Sequence, residues 1–286
     1  MIELALGSAV LYGSADFFGG LTARRANTIA TVFWSQFVGL VLMGMVLPFL
    51  PAATVSSRDW MWGFVGGLSG GICVALLYRA LAIGAMAVVA PTTAIMAAMI
   101  PVSFAFIMGE RLRPLTLAGV ALALVAIALV SRPASESGRD SEKTRPRGFP
   151  PGFGLALLAG VAVGIFFLSL ARTTTAAGMW PLMAARFSSI ALFGLLAIFT
   201  KRTLRMSRAA ATTATTGGAL DMAANALYMI AARIGPLSIV VTLASLYPAS
   251  TVLLARFVLG ERLSFVQIIG ILCALAAVVV IVATTQ

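Results

Sequence analysis

Apolar runs long enough to cross a bilayer follow one another along almost the whole chain. A spanning helix needs about 20 consecutive residues with few charges. Ten such stretches can be drawn, near residues 3–22, 28–50, 60–81, 86–108, 114–131, 152–172, 179–200, 209–232, 236–258 and 264–284. The breaks between them are short, such as Arg24–Asn27 and Arg111–Arg113, and Arg79 with Gly84 separates the third from the fourth. Hydrophobic types make up 60% of the 286 residues and charged types only 10%. A soluble domain is usually about 45–50% apolar and about 25% charged. This excess is too large for one water-soluble core. It excludes a disordered chain, a coiled coil and a disulfide-stapled secreted domain, and it leaves no room for a soluble domain of useful size. The first stretch carries Asp16 and no small-residue cleavage pattern, so it reads as a true span and not a cleaved signal.

Two counts narrow the chemistry. The chain has no histidine, so neither a Ser-His pair nor an imidazole metal site can be built. No metal or cofactor is expected. Cys73 and Cys273 stand alone in apolar stretches and read as small apolar fillers, with a disulfide left open. The net charge of +11 fits cationic loops at anionic headgroups and does not require nucleic acid.

Residues 132–151 differ from every other break. They are rich in charge, Pro, Ser and Gly, and read as a flexible linker. The two sides of it, 1–131 and 152–286, are copies of one unit. A shift of 151 places Gly66-Gly67 on Gly217-Gly218, Ile83-Gly84 on Ile234-Gly235, and Gly109-Glu110-Arg111-Leu112 on Gly260-Glu261-Arg262-Leu263. An odd number of spans per copy turns the second copy upside down. Inverted repeats are a recurring plan for secondary transporters, with the solute site at the repeat interface.

With these two five-span repeats, each carrying Gly-Glu-Arg-Leu between its fourth and fifth spans, and with Leu11-Tyr12-Gly13-Ser14 in the first span, the chain resembles the EamA-type family of the drug/metabolite transporter superfamily. The family commonly has Trp where Tyr12 stands. The resemblance implies an all-α, ten-helix, multi-pass protein of a bacterial-type inner (plasma) membrane that carries small metabolites, often outward. It does not name the cargo.

The charge distribution bears on orientation. Loops after odd-numbered spans carry 14 of the 20 Lys and Arg residues. The positive-inside rule then makes those loops cytoplasmic and puts both termini outside. Relatives implied by the resemblance are more often drawn with both termini inside.

Ionisable groups at membrane depth are costly and should face a cavity or a partner. Asp16 lies mid-span with Tyr12 one turn before it, and reads as a proton- or cation-binding carboxylate or as a structural hydrogen-bond acceptor. Asp221, Asn225 and Tyr228 share one face of the eighth span, and the repeat mate of Asp221 is Gly70. That stripe reads as a cavity wall or as an interhelical hydrogen-bond cluster. Arg186 matches Gln36 at a shift of 150. Arg186 could bind a solute carboxylate, pair with a protein carboxylate, or snorkel to the interface. Trp34, Tyr78 and Tyr247 are candidate aromatic walls, whereas Trp60, Trp62 and Trp180 read as interfacial belt. Pro91 and Pro101 in the fourth span, and Pro248 in the ninth, are expected to bend helices beside the cavity. The glycines 63, 66, 67, 70 and 71 read as a helix-packing face. Glu110, Arg111, Glu261 and Arg262 read as structural pairs or loop caps.

The reading is an alternating-access carrier of an amino acid-like or amphipathic solute, in the efflux direction. Proton coupling through Asp16 or Asp221 is the sharper form. An uncoupled facilitator or exchanger, a channel and, far behind, an intramembrane enzyme are its rivals. The expected partners are the small-molecule solute, the lipid bilayer and protons.

Overall fold

The computed structural model describes residues 1–23, 25–83, 86–130, 152–258 and 264–285. Its described residues form helices α1 (Ile2–Ala23), α2 (Thr28–Val46), α3 (Ser57–Ile83), α4 (Met86–Ile107) and α5 (Pro114–Val130) in the first half. The second half has α6 (Phe153–Ala171), α7 (Trp180–Phe199), α8 (Arg208–Ile234), α9 (Leu237–Ala244), α10 (Tyr247–Val258) and α11 (Phe265–Thr285). Among the described residues, six stretches have the length and apolarity to cross a membrane: Ile2–Ala23, Thr28–Phe49, Ser57–Leu77, Phe153–Ala171, Trp180–Phe199 and Leu237–Val258. The 132–151 linker lies outside the described residues.

Polar residues at the helix ends set the boundaries. Asn27 accepts from the Ala30 N–H at 2.9 Å and starts α2, and Ser207 does the same for α8 with Ala210. Ser264 and Gln267 form a reciprocal capping box at the start of α11. α4 ends at Gly109 (φ 91°), whose left-handed backbone lets the Glu110 N–H bond back to the Ala105 carbonyl. α7 ends the same way at Lys201 (φ 52°), although its side chain disfavours that conformation.

The ninth apolar range is broken. α9 stops at Ala244, and α10 restarts at Tyr247 with Pro248 in its first turn, where the missing N–H costs nothing. α4 runs without a break through Pro91 and Pro101. The expected bends therefore differ between the halves: a break before Pro248, and an uninterrupted helix around the other two prolines.

The most extensive packing runs between the halves: α1 on α8, α5 on α11, α3 on α6, α4 on α6 and α3 on α7. Each contact has a counterpart when the halves are exchanged. α1 on α8 matches α6 on α3, α3 on α7 matches α8 on α2, and α4 on α6 matches α9 and α10 on α1. α2 on α7 and α5 on α11 are their own counterparts.

Small residues make this interlock possible. A methyl group at Gly67 would lie 2.0 Å from the Ala185 carbonyl oxygen, and one at Gly218 would lie 2.4 Å from that of Ser35. Gly67 and Gly218 are repeat mates, and so are Ala185 and Ser35. The expected packing face of α3 is thus a seat for α7, with Gly63 against the Pro181 carbonyl. Large apolar side chains such as Met45, Phe187, Leu195, Ile198, Leu272 and Leu275 stay on the outside, as lipid contact requires.

Hydrogen bonds between loops mark the two ends of the bundle. At one end, Asn27 donates to the Thr203 carbonyl and the Trp34 indole to the Leu204 carbonyl, at 2.8 Å each. At the other, the Thr54 N–H donates to the Ala176 carbonyl at 2.8 Å, and Gly235 packs on Met1.

Candidate functional site

A cavity of about 120 Å³ lies where the two halves meet. α1 brings Tyr12 and Asp16 to it, α2 brings Gln36, and α3 brings Gly70, Cys73 and Val74. From the second half come Val163, Phe166 and Phe167 on α6, Arg186 on α7, Asp221 and Asn225 on α8, and Tyr247 at the start of α10. Five repeat-related pairs line it together: Tyr12 with Val163, Asp16 with Phe167, Gln36 with Arg186, Gly70 with Asp221, and Val74 with Asn225. Every pair has a polar member, and in four of the five a Gly or an apolar or aromatic residue stands opposite it, so the halves supply one frame and different chemistry.

Arg186 organises the polar wall. It is 5% exposed and donates to Asp221 Oδ2 at 2.7 Å, to Gln36 Oε1, and through Nε toward the Met222 sulfur at 3.3 Å. Gly39 leaves room for it, since a methyl group there would lie 3.0 Å from Nε. Asn225 donates to the Asp221 backbone carbonyl and accepts from the Tyr12 hydroxyl, both at 2.7 Å. The snorkelling option for Arg186 is overturned, because the guanidinium finds a carboxylate partner inside the bundle and not at the interface. That ion pair is the one seen among the described residues.

Asp16 is different. It is exposed to the cavity and has no hydrogen bond or ion pair among the described residues. With Asp221 held by Arg186, Asp16 is the carboxylate left over.

The cavity is closed toward the Met1 end. Ser8 donates to the Ala224 carbonyl, and Ala5, Leu170, Tyr228, Leu243 and Ala244 are fully buried there. Asp59, also fully buried, ties the two loops at that end. It accepts from the Ser56 N–H and hydroxyl and from the Thr174 N–H (2.7 Å) and hydroxyl.

The profile of the EamA-like transporter family matches residues 1–132 and again 150–283. The chain belongs to the EamA-like transporter family. This is a family of membrane transporters and not of enzymes, and the chain is a multi-pass membrane protein. No match was found among curated protein sequences. Among solved structures, a crystal structure described only as that of a protein is similar in fold, with a TM-score of 0.73 and 18% identity over 97% of this chain and 94% of that one.

In this EamA protein, Tyr12, Asp16, Gln36, Arg186, Asp221, Asn225 and Tyr247 converge on one cavity. Two other candidates do not line it. Tyr228 is fully buried and donates to the Phe167 carbonyl at 2.9 Å, with ring centroids of those two residues 4.5 Å apart. Trp34 lies on the outer flank of α2, where its indole donates to the Leu204 carbonyl and its ring packs edge to face on Phe33 and Phe37. Tyr78 and Pro91 lie in α3 and α4, and their side chains fall outside the described residues, as do Glu261 and Arg262. Glu110 accepts a hydrogen bond from Ser238, so the Gly-Glu-Arg-Leu turn is fastened to α9 and not by a pairing with Arg111, which is exposed. Trp60 and Trp180 pack edge to face with centroids 5.9 Å apart near the Asp59 end.

Sequence reasoning missed Phe166, Phe167, Cys73 and Asp59. Phe167 could have been found as the repeat mate of Asp16. Asp59 carried a signal in the Ser-x-x-Asp capping pattern from Ser56.

Proposed function

We propose that this EamA protein is a proton-coupled carrier with ten spans, in which two inverted repeats alternate access to the central cavity. It moves a small amino acid-like or amphipathic metabolite outward across a bacterial-type inner membrane. One observation carries the reading: Asp16 faces the cavity without a partner among the described residues, while Asp221 is paired with Arg186. A coupling site must exchange its proton with water, and an unpaired cavity carboxylate does this at less cost than one locked in an ion pair.

The exchange symmetry of the packing supports alternating access, since swapping the conformations of the halves swaps which end is closed. Closure at the Met1 end and the exposed Asp16 describe one of the two states. The open end is the one with Arg25, Lys201, Arg202, Arg205 and Arg208, which the positive-inside rule assigns to the cytoplasm. In the efflux direction proposed, the solute loads at this end and is released at the other.

The test uses the full chain in liposomes. A counterflow screen of amino acids, nucleosides, sugars and organic cations first identifies an exchanged solute. With that solute, the wild type accumulates against its gradient when a pH gradient is imposed. Asp16→Asn is expected to keep counterflow and lose pH-driven accumulation. Accumulation that survives in Asp16→Asn overturns proton coupling through this residue. Counterflow without any uphill accumulation by the wild type would make the protein an exchanger.

A further inference from the structure

A second concavity, of about 1090 Å³, opens on the outer flank of the bundle between α2, α8 and the loop at 200–207. Its floor is a stripe on α2, where Trp34, Phe37, Val38, Val41 and Leu42 recur at helical spacing. The stripe runs about 12 Å along the helix axis at 1.5 Å per residue. Ala211 and Thr215 of α8 form the facing wall, and Arg205 stands at the rim. This groove is separate from the central cavity, because α2 and α8 meet between them where Gly218 seats on the Ser35 carbonyl.

The loop at its mouth is cationic and held in place. Lys201, Arg202, Arg205 and Arg208 are all exposed, and none is in an ion pair among the described residues. The Trp34 indole and the Asn27 amide fix this loop through the Leu204 and Thr203 carbonyls. Lys201 keeps a left-handed backbone that glycine would adopt more readily.

The other half supplies an internal control. The equivalent loop, residues 50–57, carries no charged side chain, and Ala184 stands at the position matching Trp34. There Gly63 seats α3 directly against Pro181. The scaffold does not require a groove with a cationic rim, so it is a feature added to one copy.

We propose that this groove binds one anionic phospholipid, with its headgroup phosphate at Arg205 and Arg202 and an acyl chain along the α2 stripe. The charge at the mouth matches a phosphate with no neutralising amine. The apolar length beneath it matches a chain rather than a polar solute. Clustered cations just outside the hydrocarbon are the usual attraction for anionic lipid.

Native mass spectrometry of the purified full-length protein tests this. Phosphatidylglycerol and phosphatidylcholine with identical chains are the probes. The expected result is one phosphatidylglycerol per protein, bound at least tenfold more tightly than phosphatidylcholine. Arg202→Gln with Arg205→Gln should weaken it on the order of tenfold. Ala211→Leu should weaken it while keeping every cation, and Arg111→Gln with Arg113→Gln, at the opposite end, should not. Equal binding of the two lipids overturns the proposal. So does a preference that ignores Ala211→Leu, which would mean diffuse surface attraction. A dimer that forms as lipid is lost would mean that a second copy covers the groove, and overturns it too.

Discussion

Gln36 and Arg186 occupy equivalent positions in the two halves and hydrogen-bond to each other where α2 crosses α7. Their contact joins the two halves at the wall of the cavity. It also shows how a duplicated frame becomes asymmetric. Two arginines here would face each other with donors only, whereas the Gln36 amide oxygen accepts from the Arg186 guanidinium.

The Arg186–Asp221 pair should dominate local stability. Breaking a fully buried pair costs about 3–5 kcal/mol. Asp221 is 30% exposed, so Arg186→Gln is expected at or just below the lower end, about 2–3 kcal/mol. Thermal unfolding in detergent measures it. Adding Asp221→Asn to Arg186→Gln should recover most of the loss, and additive effects would show that the pair is not coupled.

The two carboxylates should behave differently in the same assay. Asp16 has no partner among the described residues, so Asp16→Asn should shift stability by no more than about 0.5 kcal/mol. Asp221→Asn strands a buried guanidinium and should cost about 2 kcal/mol or more.

Glycines should divide by what a methyl group would meet. Gly67→Ala and Gly218→Ala drive Cβ into backbone oxygens at 2.0 and 2.4 Å, and should cost about 3 kcal/mol as helices are pushed apart. Gly44→Ala meets nothing within 4 Å and should be neutral or stabilising by about 0.5–1 kcal/mol. Midpoints of unfolding for the three variants decide it.

Asp59→Ala removes a helix cap and the tie to Thr174 together. A loss of about 2–4 kcal/mol is expected. Hydrogen exchange should quicken at both 53–56 and 173–176, and quickening at only one loop would deny the tie.

Two tyrosines should separate site from scaffold. Tyr228→Phe loses a buried donor to the Phe167 carbonyl, which should cost about 1–2 kcal/mol of stability and leave counterflow intact. Tyr12→Phe loses its bond to Asn225 in the cavity wall and should lower the counterflow rate with little change in stability. Rates and unfolding midpoints of both variants check this.

Much of the arrangement was legible in the residue order. Hydrophobic run length exposed the helices, and the shift of 151 exposed the copies, because both are one-dimensional patterns. Asp16 and Asp221 stood out because a charge in an apolar run has few stable settings. Other features had no such mark. Tyr228 shares a helix face with Asp221 and Asn225, yet points into packing against Phe167, since helical periodicity gives a direction but not what stands there. Trp34 sits two residues from Gln36 and lines the outer flank, while Gln36 faces the cavity. Phe166, Phe167 and Cys73 look like any other apolar residues until a cavity forms beside them.

Sequence alone determined that this chain is helical, belongs in a membrane and is built from two related halves. Those properties follow from local composition and repetition, which need no folded partner to be read. Tertiary structure decided which carboxylate is free. Asp16 and Asp221 are chemically the same side chain in similar apolar helices. Only the crossing of α2, α7 and α8 brings Arg186 to one and leaves the other facing an open cavity. Ion pairing depends on a few ångströms between residues far apart in the chain, and that distance exists only once the halves have packed.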